Sequence, residues 1–181
     1  MAQAATASNV SLERFLSDPE LETYEYRDGE VRDSVVGTPK HALIQMNVGA
    51  LLRARLRKTR SGWVLSEARY RLPLPGRARF YLPGLCVVMD DPNALEKPYL
   101  DQAPELVVEI QSPDDSIQQL PAKIADYLEA GTPLAWVILP VERAVLVCRA
   151  GAEPVRLEAS QTIDADPVLP GFEVGVAEFF E

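Results

Sequence analysis

The sequence contains one histidine, His41, and two cysteines far apart, Cys86 and Cys148. A single imidazole excludes zinc sites built on several histidines, and two distant thiols are a poor fit to a thiolate metal site. One histidine alone does not specify a nucleophilic triad, and His41, just ahead of a helix, reads as a capping or packing residue. Both cysteines lie inside apolar runs and read as small buried hydrophobes in a reducing compartment, with a disulfide as the alternative. No GxGxxG or GxxxxGK[ST] stretch is present, so a nucleotide-cradling loop has no support. No GxSxG is present, so neither has a hydrolase nucleophile elbow. No apolar run approaches the length of a membrane span. The first ten residues, MAQAATASNV, lack the positive region and apolar stretch of a signal peptide. These absences lead to the expectation of a cytoplasmic protein without a membrane partner, with residues 1–10 as a flexible leader and 11–181 as one domain.

The 181 residues are 47% hydrophobic and 25% charged, enough for one ordinary core. The net charge of −9 argues against nucleic acid as a partner. The distribution points the other way, because nine of the 18 basic residues fall between Arg53 and Arg79, interrupted by one acid, Glu67. That segment reads either as a solvated face or as a surface that tracks phosphates.

Periodicity gives the elements. SLERFLSDPE predicts a short helix opening at Ser11, and Asp28-Gly29 predicts a tight hairpin turn between two strands. PKHALIQMNVGALLRARLRKTR predicts a long helix with Ile44, Val48, Leu51, Leu52 and Leu56 inward and Arg53, Arg57 and Arg60 in a separate charged row, ended by Ser61-Gly62. GWVLSEARYRL, RFYLPGLCVVMD and PELVVEI predict three strands, the last covered on both faces. SIQQLPAKIADYLEAGTP predicts a second long helix, with Pro121 at its first position and Gly131 as its stop. LAWVILP and AVLVCRAG add two strands, and a last short strand follows. The order predicts an α/β fold with a central mixed sheet flanked by helices, plus an N-terminal helix and β-hairpin.

One residue breaks this pattern. Glu109 stands inside Leu106-Val107-Val108-Glu109-Ile110, where an ionised carboxylate is costly unless a cation meets it. Gln111 shares its strand face, and Lys123 lies in the first turn of the next helix, where packing of that helix over its preceding strand would bring it near Glu109. By spacing alone the pair is either a buried ion pair or part of an acid–cation–metal site.

The segment PELVVEIQSP (Pro104 to Pro113), Lys123 with Tyr127, and Gly131 with Trp136 resemble the Uma-two family of restriction endonuclease-like proteins. YEYRDGEV, PKHALIQMNVGALLRARL and VLPGFEVGVAEFF extend that resemblance from about Leu12 to Phe180. It implies a restriction-endonuclease-like core of the PD-(D/E)XK superfamily and phosphodiester hydrolysis of nucleic acid, DNA ahead of RNA. The implied cofactor is Mg²⁺ or Mn²⁺ held by two carboxylates, with a lysine assisting. Carried over residue by residue, Glu109 is the second acid and Lys123 the helix-borne lysine. The first acid of the PD pair falls at Gly84, and Gln111 stands where a local lysine would be. The implied site is thus catalytic Glu109, Lys123 and Gln111, with Glu109 and Glu30 toward the metal and Arg53, Arg57 and Arg60 toward substrate. Asp90 and Asp91 lie about 20 Å beyond Gly84 along an extended strand, too far to replace its missing ligand. The expectation is an impaired nuclease site, or alternatively an inactive nuclease-fold module that binds nucleic acid or protein. A homodimer is left open.

Overall fold

The computed structural model describes residues 6–7, 9–33, 37–89, 91–112 and 119–181. Among these the strands form two main sheets. The first has the order β1 (Thr6–Ala7), β3 (Glu30–Asp33), β2 (Tyr24–Arg27), β6 (Arg79–Tyr81), β5 (Tyr70–Arg71). The second has the order β11 (Val155–Glu158), β10 (Ala144–Cys148), β9 (Leu134–Leu139), β8 (Leu106–Ile110), β7 (Leu85–Val88), β4 (Trp63–Leu65). It is mixed: β8 runs parallel to β9 and antiparallel to β7. A small antiparallel pair, β12 (Thr162–Asp164) and β13 (Glu173–Gly175), closes the C-terminal part. The leader expected over residues 1–10 is in part built into the fold, since Thr6–Ala7 pairs with β3 and Val10 is buried.

The helices begin and end for local reasons. Helix α1 (Leu12–Ser17) is capped by the Ser11 side chain, which accepts from the Arg14 N–H at 3.2 Å. Thr38 caps α2 (Pro39–Thr59) in the same way, accepting from the His41 N–H at 3.2 Å, with Pro39 in the first turn. The helix ends on Arg60, which itself takes the left-handed conformation, rather than on Ser61-Gly62. Gly62 serves another need: a Cβ there would sit 2.4 Å from the Val88 carbonyl, so only glycine lets the chain enter β4 against β7. Helix α3 (Gln119–Glu129) closes at Gly131 with φ +107°, and Thr132 N–H returns to Tyr127 O at 3.0 Å. Pro121 is the third described residue of α3, after Gln119 and Leu120.

Two runs that alternation reads as single strands are each divided between the sheets. GWVLSEARYRL gives β4 to the second sheet and β5 to the first, with the break at Glu67, whose φ is +51°. RFYLPGLCVV gives β6 to the first and β7 to the second, with the break at Leu82-Pro83-Gly84, where proline cannot continue a ladder. The two breaks lie side by side, and Glu67 N–H donates to Pro83 O at 3.1 Å. The chain therefore turns a corner between sheets just before β7.

The faces of the second sheet differ in their cover. Leu106, Val108 and Ile110 share one core with Ile44, Val48, Leu52 and Leu56 of α2 and with Phe172 and Phe179 of the C-terminal segment. Trp136 is fully buried there, and each such large apolar side chain contributes about 1.5–3 kcal/mol. Val107 and Ala135 point the other way, into a core with Tyr81, Ile124 and Tyr127. The cysteines are free and buried, and burial pushes the Cys86 thiol up to about 12. No helix among the described residues is long and apolar enough to cross a membrane.

Candidate functional site

The site lies at the corner between the sheets, under α3. Alternation along β8 turns Val107 and Glu109 toward α3 while their neighbours face α2. Glu109 is 7% exposed. Helical spacing places Lys123 and Tyr127 one turn apart on the inner side of α3, so both reach the same carboxylate. Lys123 Nζ lies 2.8 Å from Glu109 Oε1, and the Tyr127 hydroxyl donates to that oxygen at 3.2 Å. The ammonium also lies 2.5 Å from Glu25 Oε1 on β2 and 5.5 Å above the Tyr81 ring. Glu25 is fixed in turn by the Leu82 N–H, which donates to its Oε1 at 3.1 Å. One cation thus joins the two sheets through two carboxylates.

The electrostatics follow from burial. Burial works against the charge on Lys123, but Glu109 and Glu25 outweigh it and hold the ammonium above its usual range. Burial pushes the Glu109 carboxyl up; Lys123 pulls it back and Glu25 adds to the rise. Burial, then Glu109, raises the Tyr127 hydroxyl well above its usual value, so it stays a hydrogen-bond donor.

Gly84 stands beside this triad. Leu85 pairs with Val108 and Cys86 with Val107, so Gly84 is the next residue along toward Glu109. Gly84 is a bend one residue before β7, one step past the last paired residue, and offers no side chain; a Cβ built there would meet the Val108 carbonyl at 3.2 Å. The Gly84 carbonyl accepts from Gln45 Nε2 of α2 at 2.7 Å.

Next to the triad, Asp126 organises a second polar group. It is 4% exposed and accepts from Arg79 Nε at 2.9 Å and from the Tyr81 hydroxyl at 2.5 Å. Arg77 at 3.4 Å and Arg27 at 3.8 Å flank it, and Arg79 also reaches Asp28 at 2.5 Å. These contacts clamp α3 onto β2 and β6.

The residues singled out in the sequence are only partly brought together. Glu109 and Lys123 meet. Gln111 lies just past the end of β8, half-buried, with its N–H donating to Ile138 O at 2.9 Å. Glu30 shares the hairpin face of Glu25, since Glu25 pairs with Arg32 and Glu30 with Arg27. Its carboxylate is bonded to Arg32 at 2.7 Å, and Glu25 takes the place by Lys123. Arg53, Arg57 and Arg60 are exposed at the end of α2, across the second sheet from Glu109. Asp91 pairs with Lys97 at 2.7 Å, and Asp90 and Pro113 lie outside the described residues. Glu25 and Asp126 were not anticipated. The alternation of Tyr24-Glu25-Tyr26-Arg27 marks Glu25 as facing away from the apolar side, but nothing local names its partner.

The donor set does not fit the Mg²⁺ or Mn²⁺ that the sequence resemblance implies. Such hard ions are held through carboxylates with room for water and phosphate oxygens. Here both carboxylates are bound to one ammonium, and among the described residues no three acidic, imidazole or thiol side chains gather where they could hold a metal.

Comparison with known proteins agrees with this architecture. No curated protein matches the chain. The crystal structure of a putative nuclease belonging to DUF820 from Anabaena variabilis ATCC 29413 superposes with a TM-score of 0.83 at 23% identity, over 94% of this chain and 97% of that one. That likeness shows that this chain shares its fold with the putative nuclease, a mixed α/β arrangement with an N-terminal helix and hairpin as expected from the sequence. The Uma2 family profile, described as "Putative restriction endonuclease", matches residues 11–177. With this match over nearly its whole length, the chain belongs to the Uma2 family of putative restriction endonucleases.

Proposed function

We propose that this chain is a restriction-endonuclease-like protein in which metal-dependent phosphodiester hydrolysis is severely weakened. In this reading Gly84 occupies the place of the first metal-binding aspartate, Glu109 is the remaining acid, Lys123 is the helix-borne lysine and Gln111 replaces the local one. The observation that carries it is the β7–β8 register, whose last pair, Leu85 with Val108, leaves a residue without a side chain as the next one along toward Glu109. Family membership and the nuclease-fold neighbour support nucleic acid as the class of molecule involved. The test is cleavage of supercoiled plasmid and of duplex oligonucleotides with Mg²⁺ or Mn²⁺. Little or no cutting is expected. Efficient cutting that Glu109→Ala abolishes would overturn the reading.

A second reading, binding without cleavage, is favoured by the surface of α2. The helix carries no acidic residue, and Arg53, Arg57, Lys58 and Arg60 are exposed at and just beyond its end. That basic face lies across the sheet from Glu109, so it can hold a polyanion independently of the triad.

A further inference from the structure

We propose that Lys123 is the resident cation of this site: its ammonium occupies the position between Glu25 and Glu109 that a divalent ion would need, and the site is satisfied without metal. The proposal rests on the reading of the chain as a nuclease-fold protein, but on a different observation, the shared ammonium rather than the missing ligand at position 84.

The geometry is that of a bridging ion. One nitrogen stands 2.5 Å from a Glu25 oxygen and 2.8 Å from a Glu109 oxygen, and the carboxylates come from different sheets. Each of these oxygens has a second donor, Leu82 N–H for Glu25 and the Tyr127 hydroxyl for Glu109. The Tyr81 ring below the ammonium adds a further attraction for a monovalent cation. The side chains of Lys123 and Glu109 are 15% and 10% exposed, so little water screens the charges. A buried and a half-buried carboxylate held this close demand a positive partner. A lysine tethered to α3 supplies it at high effective concentration, and a free ion must displace that lysine to enter. On this account Lys123 ties α3 to β2 and β8 and outcompetes metal for the carboxylate pair as long as position 84 offers no third oxygen ligand.

Removing the tethered cation should therefore uncover metal binding. Mn²⁺ is titrated into wild-type protein, Lys123→Met and the Lys123→Met/Glu25→Gln double variant by calorimetry, with the thermal midpoint followed in parallel. Lys123→Met is expected to bind Mn²⁺ at least about ten-fold more tightly than wild type, with a midpoint that rises on adding Mn²⁺. The double variant should lose that gain. If Lys123→Met folds only with Mn²⁺ present, by circular dichroism, that also supports the proposal. Lys123→Gln, whose amide still donates to the carboxylates, serves as the second variant. A Lys123 variant that binds no more tightly than wild type, or a gain that survives Glu25→Gln, would overturn the assignment. Because cleavage is not the readout, this failure is separate from that of the weakened-nuclease reading.

Discussion

Asp126→Ala is expected to lower folding stability by about 3–5 kcal/mol, measured by urea denaturation, because it leaves a buried cation without its partner. Arg79 is 5% exposed and would retain the Ala78 carbonyl and, as its one carboxylate, Asp28, whose side chain is 47% exposed to solvent. The Tyr81 hydroxyl would lose its acceptor, and an orphaned buried hydroxyl costs about 1–3 kcal/mol. Asp28→Asn is the contrasting case. Asparagine tolerates the left-handed backbone at φ +48° and keeps an oxygen for the Ala78 N–H. It removes only a half-exposed charge, and the expected loss is within about 1 kcal/mol. Equal effects at the two positions would mean that Asp126 does not clamp α3.

Lys123→Met should have an effect of similar size, and its pH dependence identifies the cause. In the wild-type fold the Lys123 ammonium is held above its usual value of 10.5, so its contribution is complete below that pH and declines above it. Without the ammonium, Glu109 and Glu25 face each other in a buried site, and the cost is about 3–5 kcal/mol near neutral pH. Burial already raises the Glu109 carboxyl above 4.5, and loss of Lys123 removes the main influence lowering it. A raised carboxyl binds its proton more tightly in the folded state, so folding is favoured below 4.5 and loses that advantage as pH climbs through the folded value. The difference between wild type and Lys123→Met should therefore shrink as pH falls toward 4.5. A difference constant with pH would indicate lost packing of the lysine stem instead.

How much of this was legible in the sequence varies with the range of each interaction. The Asp28-Gly29 turn, the Ser11 cap and the stop at Gly131 are local, and local chemistry placed them. The apolar run around Glu109 announced a buried acid because charge inside such a strand requires an explanation. Lys123 followed because a crossover helix packs over the strand that precedes it. The division of GWVLSEARYRL and RFYLPGLCVV between two sheets was not legible, since the first alternates through its break, the second is almost continuously apolar across its own, and only Pro83 hints at one. Glu25 was missed for the same reason: its contact with Lys123 depends on how the corner seats the first sheet against α3. Glu30 drew attention through the resemblance, yet lies one strand across and two residues along from Glu25 in the hairpin register. The arginine row was visible as a stripe on α2, but which sheet face that helix covers is a property of the topology.

The account rests on the claim that the buried acid is neutralised by the chain's own lysine and faces an empty position at Gly84. Its most direct measurement is calorimetric titration of Mn²⁺ into wild-type and Gly84→Asp proteins side by side. A Cβ at position 84 would lie 3.2 Å from the Val108 carbonyl, so the substitution asks for a shift of a few tenths of an ångström, at a backbone angle outside the left-handed range. The account predicts no saturable binding to wild type and measurable binding to Gly84→Asp. Tight binding by the wild-type protein that Glu109→Ala abolishes would contradict it.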